Sequence, residues 1–164
     1  MPSRPSRANA PEVDQIVAAR LRPLGQRLTP RRRSLLEILR SARHPLTIHE
    51  ILERGRGLAM SSVYRNLTVL EQAGLVHRVI TREDFARYEL AEELTEHHHH
   101  LICSGCGLVR DMPTDVRVER VMRSVMAGMP ADVFTPQSHR IDVMGMCPDC
   151  VQRRERATQA KGGG

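Results

Sequence analysis

The residues best equipped for chemistry lie between positions 97 and 150. Two Cys-x-x-Cys pairs, Cys103 with Cys106 and Cys147 with Cys150, use all four cysteines of the chain. Each pair sits on a knuckle, with Gly105 and Gly107 in the first and Pro148 in the second. Zinc prefers four ligands in a tetrahedron, about 2.3 Å from sulfur, and each knuckle can offer one ion two thiolates without strain. Two knuckles therefore close one structural zinc site that encloses the segment between them. Disulfides are the competing use. They are disfavoured because residues 1–12, MPSRPSRANAPE, are charged and lack the apolar stretch of a secretory leader. A cytoplasmic chain is expected.

Directly before the first pair stand His97, His98, His99 and His100. On a strand, alternate side chains face opposite ways, so His98 and His100 share one side and His97 and His99 the other. Each His-x-His pair is a bidentate start for a metal site, which carboxylates such as Glu89, Asp111 and Glu119, with His139 and His44, can complete. The plainer alternative is a solvated polar linker that picks up metal adventitiously. With the thiols committed, a sensor must use nitrogen and oxygen ligands, which suits iron(II), manganese(II) or nickel(II) and leaves zinc open. Catalysis is disfavoured. A four-thiolate site has no open position, the His-x-Glu and Pro-Cys-x-x-Cys deaminase pattern is absent, and no Ser/His/Asp order suggests a hydrolase. No small organic substrate is expected.

The elements that must position these residues fall into two dissimilar halves of a 164-residue chain, room for two small domains. With two Phe, two Tyr and no Trp, the cores must be aliphatic, and a metal staple helps small cores of that kind. A first helix is expected over about 13–21. A second is capped by Thr29 with Pro30 at its first position and Leu35, Leu36 and Leu39 inward; a third, capped by Thr47, stops at Gly55. Ser61 is read as the cap of the next helix, which ends at Gly74, with Val63, Leu67 and Leu70 on one face and Ser61, Tyr64, Arg65 and Thr68 on the other. Strands at 75–80 and 86–90 flank a turn at 81–84. Three helices and a hairpin make a winged helix-turn-helix. The net charge of +6, nearly all from arginine, suits a polyanion such as double-stranded DNA, with Tyr64 and Arg65 on the reading face. No apolar run is long enough for a membrane span.

After Leu90 an acidic linker leads to HHLIC and GLVRDM, expected to pair across Ser104 and Gly105, then to a helix capped by Thr114 or Asp115 through about Met126 and a strand at 138–144. The class is α+β: an N-terminal winged helix-turn-helix followed by a small α/β dimerisation domain with a four-cysteine structural zinc. The expected layout is a disordered basic arm at 1–11, the winged helix at 12–91, a hinge at 92–97, the metal-binding domain at 98–152 and a polar tail, ending without order, at 153–164.

Taken in order, RLTPRR, SSVYRNLTVLEQAGLV, RYEL, HHHHLICSGCG and GMCPDC resemble the ferric uptake regulator family, whose members sense iron, zinc, manganese, nickel or peroxide. The resemblance covers roughly residues 24–150. It implies a homodimer that, when metal-loaded, binds AT-rich inverted repeats and represses metal-uptake or oxidative-defence genes. Position by position it implies a sensor of His44, Glu89, His98, His100 and Asp111, with Glu92, Glu93 or Glu96 as alternatives to Glu89. A second site would use His97, His99, Glu119 and His139. Ser61, Ser62, Tyr64 and Arg65 would meet DNA, and Arg27 a minor groove. Glu89 is closer to iron sensors, Asp111 resembles peroxide sensors, and no fifth cysteine of the kind common in zinc sensors is present. Iron is therefore the leading ion, with peroxide, manganese, nickel or zinc sensing as alternatives and a thiol redox switch or metal store as a remote one.

Overall fold

The computed structural model describes residues 10–80 and 86–161, and the chain divides into two units, Met1–Glu96 and His97–Gly164. Most of the arm expected at 1–11, the turn expected at 81–84 and the last three residues of the tail lie outside the described residues.

In the first unit, local caps decide where helices begin. The α1 helix (Ala10–Leu21) is followed by α2 (Pro30–Ser41), where the Thr29 hydroxyl accepts the Arg32 amide at 3.4 Å and Pro30 opens the first turn. A two-residue strand β1 (Leu46–Thr47) leads into α3 (Ile48–Arg54) through a capping box: the Glu50 amide donates to Thr47 Oγ1 at 3.2 Å, and the Glu50 carboxylate accepts the Thr47 amide at 2.7 Å. The α4 helix (Met60–Gln72) stops before Gly74, whose φ of 67° is open to glycine without a steric penalty. Strands β2 (Val76–Ile80) and β3 (Ala86–Leu90) complete an antiparallel sheet of order β1-β3-β2, in which Tyr88 lies opposite both Leu46 and Arg78.

Two details differ from the sequence reading. Ser61 is not the cap of α4. The helix starts two residues earlier, with Ala59 at the cap position, and the Ala59 carbonyl accepts the Ser62 and Val63 amides at 2.9 and 3.0 Å, so Ser61 lies inside the first turn with no side-chain cap on the helix. An exposed first turn can leave its free N–H groups to water. The sheet also has a strand the sequence did not announce, since β1 adds a third to the expected hairpin.

The α2, α3 and α4 helices pack on one another and their apolar stripes close over the sheet. Val17, Leu21, Leu35, Leu39, Leu46, Ile51, Val63, Leu67, Leu70 and Leu75 are all buried in one cluster, at the helical spacing that puts Val63, Leu67 and Leu70 on one face.

The second unit contains β4 (His99–Cys103), β5 (Val109–Met112), α5 (Val116–Ala127), β6 (Asp142–Gly145) and α6 (Pro148–Lys161). Its sheet order is β5-β4-β6, with β5 antiparallel and β6 parallel to β4. Asp115 caps α5 by accepting the Arg117 amide at 2.8 Å. The β6 strand is shorter than the expected 138–144 because β4 begins only at His99, leaving residues before Ile141 no strand to pair with. The polar tail expected at 153–164 is helical as far as Lys161, and the end expected to lack order lies outside the described residues. Pro148 opens α6, Asp149 complements the positive end of the helix, and Gln, Arg, Glu and Ala sustain it. No described helix is long and apolar enough to cross a membrane.

Leu70 is fully buried in the first unit's core, so Leu70→Ala is expected to cost about 2–5 kcal/mol in equilibrium urea denaturation with an unchanged slope. A midpoint indistinguishable from wild type would contradict this account of the core.

Candidate metal centres and nucleic-acid interface

The two cysteine knuckles are distant in sequence, and the parallel pairing of β4 with β6 brings them together. Cys103 lies beside Gly145 in that register, and the Ser104 amide donates to the Gly145 carbonyl at 2.6 Å, which delivers Cys147 two residues later. Cys103, Cys106, Cys147 and Cys150 form one group whose ligand atoms lie within 4.8 Å of one another. Sulfurs at about 2.3 Å from a tetrahedral zinc stand about 3.8 Å apart, and Cys106 Sγ and Cys147 Sγ are 3.7 Å apart. The four sulfurs thus fit one ion.

Electrostatics agree with geometry. Cys103 Sγ accepts the Cys147 amide at 3.2 Å and the Gly105 amide at 3.4 Å. The first of these bonds leads in lowering its thiol to about 6 against the opposing effect of burial. At Cys106 the Leu108 amide also favours the thiolate, yet burial and the three neighbouring thiols push it up to about 12, and burial raises Cys150 as well. Four thiolates cannot crowd together without a cation among them. Gly105 is required by close approach, since a Cβ there would lie 3.0 Å from Cys150 Sγ. A contact not anticipated from the spacing is Arg153, one turn into α6, which donates to Cys150 Sγ at 2.8 Å.

The structure also brings His97, His99, Glu119 and His139 together. His99 is fully buried on β4, and α5 lays Glu119 against it, with Glu119 Oε1 2.8 Å from His99 Nε2. His97 Nε2 is 3.5 Å from the same oxygen, His139 Nε2 is 3.3 Å from Oε2, and the His97 and His139 Nε2 atoms are 3.3 Å apart. Nitrogen and oxygen ligands about 2.1 Å from a tetrahedral ion stand about 3.4 Å apart, so these residues fit a divalent cation. Burial raises the Glu119 carboxyl, but the His99 hydrogen bond and the nearby His97 and His139 outweigh it and hold the group below its usual range. His99 Nδ1 is buried and has no hydrogen-bond partner among the described residues.

The opposite parity of the histidine run carries His98 and His100, whose rings meet edge to face at 5.1 Å. His100 is buried at the centre of the sheet, with Asp111 as its cross-strand partner on β5 and Asp142 on β6. Asp142 Oδ1 accepts from His100 Nδ1 at 3.2 Å, and Arg140 holds its other oxygen at 2.7 Å. A carboxylate on Nδ1 fixes the tautomer that leaves the Nε2 lone pair for a metal. Sequence reasoning passed over Asp142, although it sits inside the alternating stretch read as a strand. In the first unit, His44 precedes β1 with Nδ1 3.2 Å from the Pro45 carbonyl, and Glu89 lies on β3 opposite His77.

The remaining sequence-derived positions belong to the first unit. Along α4, Ser61, Arg65 and Thr68 are exposed, Tyr64 is 52% exposed and Ser62 is half-buried. Arg27 is exposed ahead of α2. Thr29, Arg31, Ser61, Ser62 and Arg65 line an open groove where the N-terminal turns of α2 and α4 meet. Hydroxyls and guanidinium groups along a groove suit phosphate and base edges.

Residues 23–143 match the ferric uptake regulator family. The chain is 30% identical over 139 residues to the peroxide operon regulator of Bacillus subtilis, covering 81% of this chain and 90% of that protein. It is 31% identical over 135 residues to the ferric uptake regulation protein of Legionella pneumophila, covering 79% and 95%. Among solved structures it resembles the ferric uptake regulator Fur of Helicobacter pylori, with a TM-score of 0.69, 23% identity and coverage of 88% of this chain and 95% of that one. Regulators of this family are not enzymes, and they bind DNA as dimers. With a four-cysteine site, histidine and carboxylate metal sites and a winged helix-turn-helix in one polypeptide, this chain belongs to the ferric uptake regulator family of metal-dependent transcriptional regulators.

Proposed function

We propose that this chain is a repressor that binds an inverted-repeat operator as a metal-loaded homodimer in the cytoplasm and controls metal-homeostasis genes, with iron(II) as the regulatory ion. The observation that carries the metal response is the convergence of His97, His99, Glu119 and His139 at ligand spacing within the same small unit as the four-cysteine cage. In this reading zinc fills the cage, and the sensor is His44, Glu89, His98, His100 and Asp111. His97, His99, Glu119 and His139 form the second metal site. When bound, the regulatory metal supplies differential affinity between the DNA-competent state and the others, the only way a ligand can shift such an equilibrium.

The chain's own residues do the rest. Asp142 orients His100, and the Pro45 carbonyl on Nδ1 leaves His44 Nε2 free for coordination. Arg27, Ser61, Ser62, Tyr64 and Arg65 face the duplex. The second copy is supported by α5, which buries no residue within the chain and exposes Val118, Val121 and Val125, one helical stripe, at 38%, 61% and 51%. Such a stripe calls for a partner surface. A peroxide-sensing reading is favoured by Asp111 beside His100 and by the likeness to the Bacillus subtilis peroxide operon regulator.

Three measurements test these assignments. In buffered free-metal titrations with a duplex enriched from a random pool, iron(II) is expected to raise DNA affinity by roughly 5–150-fold. Binding indifferent to iron(II), manganese(II), zinc and nickel(II) alike would refute the metal response, whereas a response to another ion alone would remove iron. Cys103→Ser is expected to lose one tightly held zinc per chain and the dimer on native mass spectrometry; retention of both would overturn the staple. His98→Ala is expected to keep fold and structural zinc but to lose metal-dependent binding in gel shifts, and an undiminished metal response would remove His98 from the sensor.

A further inference from the structure

Arg32 is the most buried arginine among the described residues; Arg87, whose side chain is 14% exposed, has a carboxylate partner in Glu50. Arg32 lies on α2 and is 8% exposed. Its Nε donates to Asn66 Oδ1 on α4 at 3.1 Å, Nη1 to the Arg27 carbonyl at 2.5 Å and Nη2 to Gln26 Oε1 at 2.6 Å. All three acceptors are neutral, and no carboxylate pairs with Arg32 among the described residues. Its neighbour Arg33 behaves conventionally, meeting Asp14 at 2.7 Å on the surface. Asn66 extends the chain of contacts by donating to the Ser62 carbonyl at 2.8 Å and to Ser62 Oγ at 3.2 Å.

One planar cation thus ties the segment that carries Arg27 to the first turns of α4, which carry Ser61, Ser62, Tyr64 and Arg65. Burying a charge without a counter-ion is unfavourable unless its donors are fully used. A hydrophobic residue here would spare that cost if packing were the only requirement. Lysine is no substitute, because an ammonium is a point donor and cannot fork to acceptors on two separate segments. The groove lined by Thr29, Arg31, Ser61, Ser62 and Arg65 lies at the same junction of α2 and α4, so the unneutralised charge adds to a field that favours a phosphate.

The geometry points to Arg32 as a positioning residue for DNA recognition: it fixes the spacing between Arg27 and the reading face of α4, so that both engage one duplex in register. This rests on the reading of α4 as the DNA-contacting helix. Arg32 itself acts through Arg27, Asn66 and Ser62.

The test uses the full chain loaded with zinc and the regulatory metal, with two probes: a duplex enriched from a random pool by the wild-type protein, and the same duplex shuffled. Arg32→Lys is expected to keep its circular dichroism, its zinc and its salt-dependent binding to the shuffled duplex, while losing about tenfold or more on the enriched one, the scale of one good base contact. Arg27→Ala, which weakens the wild type, is expected to cost little more in the Arg32→Lys background, because the two share one interaction. A folded Arg32→Lys protein with wild-type affinity for the enriched duplex, or strictly additive losses, would overturn the proposal. Should Arg32→Lys fail to fold, Asn66→Ala leaves the cation in place and removes its link to α4 together with the Asn66 bonds to Ser62; the same cycle with Arg27→Ala must again be non-additive, and additivity refutes the clamp. If neither Arg27→Ala nor Arg65→Ala weakens binding to the enriched duplex, the DNA-reading assignment falls and the clamp with it. If both weaken it and the cycles are additive, only the clamp falls.

Discussion

Four sulfurs held within a few ångströms of one another repel as thiolates and desolvate one another as thiols, and the second unit is arranged around that conflict. Among its described residues, the buried apolar set is little more than Ile102 and Val109 together with Cys103 and Cys150. A sheet of three short strands with so small a core has little hydrophobic stabilisation to set against the entropy of ordering it. A tetrahedral cation supplies what the core lacks, because its binding energy is folding energy when the ligands are scattered in the unfolded chain. The parallel register of β4 with β6 is the geometric expression of that dependence: it carries one knuckle to the other across the intervening segment. The Arg153 donor on Cys150 places a further positive charge beside the cage, where it relieves part of the excess negative charge of four thiolates around a dication.

The same strand extends this logic beyond the cage. His99 and His100 are both buried, adjacent on β4 and facing opposite ways. Each occupies a position where a small domain would ordinarily place valine or isoleucine. On one side Glu119, His97 and His139 surround His99; on the other, Asp111 and Asp142 flank His100 in the ladder. Polar residues at core positions stabilise only when their hydrogen-bonding or metal-binding capacity is used. A sheet built this way gains stability when those ligand atoms are engaged.

Much of this was legible in the residues. The doubled Cys-x-x-Cys spacing points to the cage, and the two-residue period of a strand separates His97 and His99 from His98 and His100, because both follow from covalent and local geometry. Thr29, Thr47, Asp115 and Gly74 announce helix ends through groups that act within one turn. What escaped was non-local or lacked a side-chain signal. The start of α4 at Met60 has no capping residue to read, and the two-residue β1 is a strand only because β3 lies beside it. Asp142 matters because parallel pairing sets it next to His100, a register that no pattern within residues 138–144 reveals. The helix through Lys161 was missed because a polar, charged segment reads alike as a solvated helix or an irregular tail unless its starting Pro148 and Asp149 are weighed.

The first unit solves the opposite problem. Its helices and sheet share one aliphatic cluster, far larger than the buried apolar set of the second unit, and its partly buried polar groups join elements at their ends. Thr47, Glu50 and Arg87 join β1, α3 and β3: one Glu50 oxygen accepts from the Thr47 amide, the Thr47 hydroxyl and Arg87. Burial raises the Glu50 carboxyl, but those donors, with His44 nearby, hold it below its ordinary range. The junction therefore stays ionised and bonded throughout the neutral range, and it binds the strand that follows His44 to the strand that carries Glu89. A junction of this kind resists separation of the two strands because opening it gives up three hydrogen bonds to one carboxylate oxygen. The apolar packing around it permits small shifts at little cost. Among its described residues the unit thus has two polar joints in an otherwise aliphatic interior, this one and the Arg32 network that ties α2 to α4.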